Sequence, residues 1–164
     1  MSGWAVWFVG LPGSGKSSIS KRAYEYLRDK GMDVVYLQMD ERRKKYFPDP
    51  KYTPEERRKA YELFALEGAD LAAKGHGVIL DGTAAKVEMR HLARKKIDKF
   101  AEIYVACSLE TAMERESKRP EGLVMAGLYA KAMERKKTGR QFPGLGQVIG
   151  VDIPFEEDPQ AELV

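Results

Sequence analysis

The stretch WAVWFVGLPGSGKSS, from Trp4 to Ser18, decides the fold of this chain. Its first six residues are apolar and have the length of a strand, and the eight residues from Gly10 to Ser17 fit the pattern G-x-x-x-x-G-K-[ST] at every fixed position. Helix-compatible sequence from Ile19 to Leu27 follows directly. A strand, a glycine-rich loop and a helix in this order are the context in which the pattern predicts a phosphate-binding loop.

The residue types of the loop suit the binding of a nucleotide triphosphate. Glycine adopts backbone angles that a side chain forbids, so successive N–H groups can approach phosphate oxygens. The start of the following helix adds the positive end of its dipole. We expect Lys16 to reach the β- and γ-phosphates of ATP, as a catalytic residue, and Ser17 to hold Mg²⁺. The predicted nucleotide-binding set is Gly10, Pro12, Gly13, Ser14, Gly15, Lys16, Ser17 and Ser18.

Composition limits the classes of protein that remain. A chain of 164 residues with 43% hydrophobic and 32% charged residues predicts one globular domain over residues 1–164. No apolar run is long enough to span a bilayer, and no secretory signal precedes the first strand, so no membrane partner is expected. The single Cys107 excludes an internal disulfide and favours a cytoplasmic location. A net charge of +3 suits a small anionic substrate and gives little support for nucleic-acid binding.

Strand-like and helix-like segments alternate along the rest of the chain. Strands are predicted at Asp33–Gln38, Gly77–Leu80 and Ala101–Ala106. Thr53-Pro54-Glu55-Glu56 has the residues of a helix start, and further helices are predicted from Lys86 and from Leu109. This alternation predicts an α/β fold of the P-loop NTPase type: a three-layer sandwich with a parallel sheet and a helical lid.

Two carboxylates follow strand ends, where ligands bind in open α/β sheets. Asp40 and Asp81 are therefore candidates for the chemistry. The chain contains no asparagine, so the N-K-x-D motif of a GTPase is absent, and a small-molecule kinase fits best. We interpret Asp40 as the catalytic carboxylate because Arg43 lies one helical turn further on. Asp81 is expected at Mg²⁺, through a water, or as a helix cap.

The stretch of about residues 117–144 has a different character. It is basic, and its apolar residues could form one helical face: Leu123, Val124, Leu128, Tyr129 and Met133. We interpret it as a lid that closes over the phosphates and excludes water. The alternative is a solvated helix followed by a loop.

Several ordered stretches resemble the adenylylsulfate (APS) kinase family over nearly the whole chain. The phosphate loop, with Trp7 three residues before Gly10, is similar to the start of that family. The family's D-G-D-x-x-R resembles the segment from Gln38 to Arg43, and its F-S-P-E-D-R resembles that from Tyr52 to Arg57. Later matches are Cys107-Ser108-Leu109-Glu110, Gly127-Leu128-Tyr129-Ala130-Lys131-Ala132, Phe142-Pro143-Gly144 and Asp152-Ile153-Pro154-Phe155-Glu156.

The resemblance implies phosphorylation of the ribose 3′-hydroxyl of adenosine 5′-phosphosulfate by MgATP, in a homodimer. Asp40 would orient or deprotonate that hydroxyl, and Arg43 and Arg57 would bind the phosphosulfate. Tyr52 and Phe142 would stack on the adenine from both sides. Lys131 would bind substrate from the lid.

The chain departs from the family pattern near the acceptor. The family's first aspartate in D-G-D is Gln38, and its glycine is Met39. Other family positions are Ala60, Ala84 and Val87, where an asparagine, a serine and an arginine are usual. Two alternatives therefore stay open: a related kinase of another nucleotide or small hydroxyl compound, and a nucleotide-dependent regulatory protein with little turnover.

Overall fold

The computed structural model describes residues 2–119 and 127–164. Within these ranges, four parallel strands form one sheet: β1 (Trp4–Val9), β2 (Val34–Gln38), β3 (Gly77–Asp81) and β4 (Phe100–Tyr104). Their order across the sheet is β2-β3-β1-β4. The two central strands are the most apolar, because helices cover both of their faces. β3 is one residue longer than predicted, since Asp81 pairs in register with Phe8 and Gln38.

The same part of the chain forms six helices: α1 (Lys16–Asp29), α2 (Met39–Tyr46), α3 (Pro54–Ala73), α4 (Val87–Lys96), α5 (Leu109–Ser117) and α6 (Leu128–Thr138). The predicted start of α3 is confirmed, as the hydroxyl oxygen of Thr53 accepts a hydrogen bond of 3.1 Å from Glu56 N. Helix α2 begins directly after β2, so Asp40 and Arg43 lie one turn apart on it.

The sheet separates two apolar layers. On one face, Phe8 and Ile79 pack with α1 residues such as Leu27. On the other face, the buried Trp7 packs edge-on against Phe64 of α3, with ring centroids 5.4 Å apart, in a cluster that also reaches α4. This arrangement confirms the predicted P-loop NTPase-like α/β fold.

A third cluster lies beyond the carboxyl ends of the strands and joins α5 and α6 to the loop after β1. Leu11, Ala112, Tyr129 and Val148 are buried in it. Helix α6 confirms part of the predicted helical face, since Tyr129 is buried. Met133 is 46% exposed, because the buried stripe of α6 runs through Tyr129 and Ala132 instead. Leu123 and Val124 lie outside the described residues.

The last ten residues run along α4 and β4. Lys86 pairs with Glu156 at 2.9 Å and Arg94 with Glu162 at 2.6 Å. At the edge of β4, Tyr104 N donates to Leu163 O at 2.9 Å, and Glu162 N donates to Glu102 O at 3.0 Å. The terminal segment therefore forms an isolated parallel bridge with the edge of β4, between Ile103 and Leu163. No helix in the described ranges combines the length and the apolar character that a membrane crossing requires.

Candidate active site

The phosphate-binding loop connects β1 to α1 and depends on glycine at defined points. Gly15 has φ +96° and precedes the first residue of α1. Gly13 has φ +81°, and a Cβ atom there would collide with the carbonyl oxygen of Ala112 on α5. The glycines therefore serve two purposes here, since they allow the turn and let α5 approach the loop closely.

Two side chains hold the loop from outside. Arg115 of α5 donates from Nη1 to the carbonyl oxygen of Ser14 at 3.0 Å. Tyr129 of α6 donates from its hydroxyl to the carbonyl oxygen of Pro12 at 2.6 Å. Because these carbonyl groups are engaged by α5 and α6, the shape of the loop depends on both helices.

A cavity of about 570 Å³ opens beside the loop, at the carboxyl ends of the strands. This volume lies in the range of small-molecule sites. Its walls come from the phosphate loop, α2, α3, the end of β3, the end of α5 and residues 144–149. Eight residues predicted for catalysis, nucleotide, substrate or metal line this one cavity: Pro12, Lys16, Ser17, Asp40, Arg43, Tyr52, Arg57 and Asp81.

Lys16, Asp40 and Asp81 form a charged group in the cavity. Burial lowers the pKa of Lys16, and the charges of Asp81 and Asp40 oppose that shift. Burial raises the pKa of Asp40, and the charges of Lys16 and Arg43 oppose it. Asp40 therefore lies within the electrostatic reach of both the phosphate-loop lysine and the α2 arginine, as a group between a donor and an acceptor should.

Arg43 and Arg57 bring two buried guanidinium groups to the cavity. They are 5% and 9% exposed. Among the described residues, Nε and Nη1 of Arg43 and Nη1 of Arg57 have no hydrogen-bond partner, although the Glu56 carboxylate lies 3.7 Å from Nη1 of Arg43 as an ion pair. Nη2 of Arg57 donates to the carbonyl oxygen of Gln147 at 2.6 Å. Buried guanidinium groups with unused N–H groups are costly without a ligand, so they favour an anion at this place.

Tyr52 lies beside these arginines in an unusual backbone conformation. Its φ is +55°, a value that is rare for a residue with a side chain. The Glu56 carboxylate stabilises it by accepting from Lys51 N at 2.8 Å and Tyr52 N at 3.1 Å. The Arg43 guanidinium lies 5.1 Å from the centre of the Tyr52 ring. Glu56, which the sequence pattern indicated only as part of a helix start, thus holds the backbone of Tyr52, the residue predicted to stack on the base.

Two predicted substrate-binding residues are placed elsewhere. Of the described residues, Phe142 and Lys131 do not line the cavity. The Arg140 guanidinium lies 5.2 Å from the centre of the Phe142 ring. The wall at this side is instead formed by residues 144–149, just after the Phe142-Pro143-Gly144 motif. The binding roles of Phe142 and Lys131 remain predictions.

Sequence reasoning also missed several lining residues. Lys21 lies one turn after Ser17 on α1, and helical spacing alone could have indicated it. Glu116 and Arg119 enter from the end of α5. Arg119 belongs to the basic stretch of the chain, but that stretch gave no reason to choose it. Gln147 carried no signal, because its contact with Arg57 is made through the backbone.

The residues present fit a magnesium ion that arrives with a nucleotide. The described residues contain no group of three or more His, Cys, Asp or Glu side chains that could hold a metal by themselves. Ser17 and Asp81 both line the cavity next to Lys16, and oxygen donors are the ligands that Mg²⁺ prefers. Such a sparse donor set suits an ion that keeps waters and phosphate oxygens as its other ligands.

Comparisons with known proteins agree with this geometry. The sequence profile of the family described as adenylylsulphate kinase matches residues 2–164. A probable adenylyl-sulfate kinase of Archaeoglobus fulgidus is 30% identical over 159 residues, which cover 97% of this chain and 92% of that protein. A cytidine diphosphoramidate kinase of Campylobacter jejuni is 31% identical over 166 residues, with coverage of 97% and 83%.

A solved structure gives the same result in three dimensions. The Mycobacterium tuberculosis APS kinase in complex with AMPPNP and APS matches with a TM-score of 0.80 and 28% identity, over 99% of this chain and 87% of that one. Both the profile and the relatives extend over nearly all of the sequence, so the resemblance is not confined to the phosphate-binding loop. On these grounds the chain belongs to the adenylylsulphate kinase family.

Proposed function

We propose that this protein transfers the γ-phosphoryl group of MgATP to the 3′-hydroxyl of adenosine 5′-phosphosulfate, which gives 3′-phosphoadenosine 5′-phosphosulfate and ADP. One observation carries the proposal: a single cavity contains the phosphate-loop lysine, two buried arginines with N–H groups that lack a hydrogen-bond partner, and Asp40 within electrostatic reach of Lys16 and Arg43. A donor triphosphate and an anionic acceptor would meet at that carboxylate.

The residues have distinct roles in this reaction. The backbone of the phosphate loop and Lys16 would bind the β- and γ-phosphates and stabilise the negative charge of the transition state. Mg²⁺, held by Ser17 and through water by Asp81, would neutralise charge on the phosphate oxygens. Arg43 and Arg57 would bind the phosphosulfate, and the Tyr52 ring would stack on the base.

Asp40 would receive the proton of the acceptor hydroxyl. Burial has raised its pKa, which makes the carboxylate a better base than an exposed aspartate. The new bond joins the 3′-oxygen to the γ-phosphorus, the bond to the β-bridging oxygen breaks, and ADP leaves. The hydroxyl proton ends on Asp40 and passes to solvent when the products depart.

A second acceptor class is favoured by one observation. Phe142 was expected to complete the stack on the adenine, yet it does not line the cavity, so of the two rings predicted to stack on the base only Tyr52 does. A single stacking ring discriminates poorly among bases, since every base has a face on which a ring can stack. The Campylobacter jejuni relative is named for a cytidine nucleotide, and such an acceptor is the second candidate.

A coupled assay of ADP release separates these candidates. The purified protein is given MgATP alone, with APS, with cytidine diphosphoramidate, or with AMP. We expect APS to give the highest kcat/KM and a product phosphorylated at the 3′-position. Turnover with the cytidine compound and none with APS would assign the second candidate, and no stimulation by any acceptor would favour the regulatory alternative.

The homodimer and the cytoplasmic location remain predictions. Light scattering coupled to size exclusion measures the first directly.

A further inference from the structure

We propose that Tyr36 is a positioning residue, whose hydroxyl fixes the Asp81 carboxylate in the orientation that holds Mg²⁺ on the bound nucleotide. The proposal rests on the use of MgATP in the proposed function, and is independent of which acceptor is phosphorylated.

The observation is a chain of hydroxyl groups that joins β3 to the start of α1. The hydroxyl of Tyr36 donates to Oδ2 of Asp81 at 2.6 Å. The Ser20 hydroxyl lies 3.0 Å from the Tyr36 hydroxyl and 3.2 Å from the carbonyl oxygen of Ser17. Ser17 is the residue whose side chain is predicted to hold the metal. The two predicted metal-binding residues are thus joined through Ser20 and Tyr36.

Proton counting fixes the direction of this chain. A carboxylate only accepts, so the single hydroxyl proton of Tyr36 points to Asp81. The Tyr36 oxygen is then left to accept from Ser20, whose proton is shared with the Ser17 carbonyl group. Ser20 is fully buried, so this arrangement is shielded from competition with water.

The sheet explains why Tyr36 is the residue that reaches Asp81. Gln38 of β2 is the register partner of Asp81 on β3, and Tyr36 lies two residues before Gln38 on the same face. Its ring therefore extends along β2 toward the end of β3. Tyr24 of α1 packs against this ring with centroids 5.6 Å apart, which limits its movement.

The functional consequence concerns the freedom of the Asp81 carboxylate. Asp81 is 2% exposed and lines the cavity together with Lys16 and Ser17. Among the described residues, the hydrogen bond to its side chain comes from Tyr36. Without this bond the carboxylate could rotate, pair with Lys16 and withdraw both groups from the phosphates. Tyr36 therefore separates the metal-binding and phosphate-binding charges.

The test uses Tyr36→Phe, which removes the hydroxyl and keeps the ring. Binding of Mn²⁺ to the complex of the protein with AMPPNP is measured by electron paramagnetic resonance, without any acceptor. We expect the Mn²⁺ dissociation constant to rise about three- to tenfold, the effect of one lost hydrogen bond. Nucleotide affinity in EDTA should stay within about twofold, since the phosphate loop is untouched. Tyr24→Phe is the matched control, because its hydroxyl contacts the exposed Arg28.

A double-mutant cycle with Asp81→Asn shows whether Tyr36 acts through Asp81. We expect Asp81→Asn to weaken Mn²⁺ binding more than Tyr36→Phe does, and the double variant to bind Mn²⁺ no more weakly than Asp81→Asn alone. Ser20→Ala should give a smaller loss in the same direction. Melting temperatures are recorded for every variant to confirm folding.

Three outcomes would overturn the proposal: additive losses in the double variant, unchanged Mn²⁺ binding in Asp81→Asn, or normal Mn²⁺ affinity in Tyr36→Phe, whatever its melting temperature. Inactivity toward APS overturns the proposed acceptor only, because these measurements contain no acceptor.

Discussion

The hydroxyl of Tyr129 donates a hydrogen bond to the carbonyl oxygen of Pro12 and so ties helix α6 to the phosphate-binding loop. The two residues are 117 positions apart in the chain. Any displacement of α6 therefore acts, through this hydrogen bond, on the loop that is expected to bind ATP. This link connects the predicted lid region with the nucleotide site even before a ligand arrives.

Tyr129→Phe tests this link. The change leaves a carbonyl oxygen without its partner, which costs about 1–3 kcal/mol. We expect a melting temperature lower by several degrees and a higher KM for ATP, with little change in the KM of the acceptor. The control is Tyr26→Phe, as Tyr26 is 62% exposed on α1. Equal ATP kinetics in the two variants would show that the contact has no role at the nucleotide site.

Asp40→Asn tests the proposed base. We expect kcat to fall on the order of 10²-fold, the range for the loss of a general base, with nearly unchanged ATP affinity. Burial raises the pKa of Asp40, so the activity of the native protein should begin to fall at a higher pH than it would with an ordinary aspartate. The variant should not show this loss of activity at low pH. The exposed Asp49→Asn serves as control.

The same substitution makes a prediction about stability. A carboxyl group with a raised pKa binds its proton more tightly in the folded than in the unfolded state, so its ionisation lowers the free energy of unfolding as pH rises. Asp40→Asn should therefore melt at the same or a higher temperature than the native protein at neutral pH. A clear decrease would mean that the ionised Asp40 stabilises the fold.

Arg57→Lys tests the anion site. A lysine cannot both hold the Gln147 carbonyl oxygen and offer a planar pair of donors to the acceptor. We expect the acceptor KM to rise on the order of tenfold or more, with the KM of ATP unchanged. Arg58→Lys on the neighbouring, exposed position of α3 is the matched control. If ATP binding weakens instead, Arg57 belongs to the nucleotide half of the cavity.

Gly13→Ala tests the close approach of α5 to the loop. The new methyl group would meet the Ala112 carbonyl oxygen, and φ +81° adds strain. Gly31→Ala is an instructive control, because Gly31 has φ +78° but no atom within 4 Å of the added carbon. In both variants, alanine at a positive φ destabilises the folded state by about 1–2 kcal/mol. Only Gly13→Ala should also lose ATP binding, measured by calorimetry; equal ATP affinities would contradict the steric argument.

The parts of the structure that local sequence determines were predictable. The glycine pattern located the phosphate loop, Thr53 with Pro54 located the start of α3, and the spacing of Asp40 and Arg43 anticipated one turn of helix. These features depend on residues within about one helical turn of each other, where propensity and capping act directly.

The remaining parts depend on which segments become neighbours. The contact of Tyr36 with Asp81 required knowing that β2 pairs with β3, and the contact of Tyr129 with Pro12 required the position of α6. The resemblance marked Gln38 as a position where the family has an aspartate. The structure shows that its register partner is Asp81, so a carboxylate is present at the same edge on the next strand. The alternation of strand-like and helix-like segments in the sequence does not reveal which strands pair.

The terminal segment that bridges to the edge of β4 has a consequence for solubility. An uncovered edge strand offers its free N–H and C=O groups to other chains and promotes aggregation. Here Glu162 and Leu163 occupy the backbone groups of Glu102 and Tyr104, and the pair of Arg94 with Glu162 keeps them in place. Removing the last three residues would unmask this edge, so the shortened chain should self-associate at concentrations where the native chain stays dispersed.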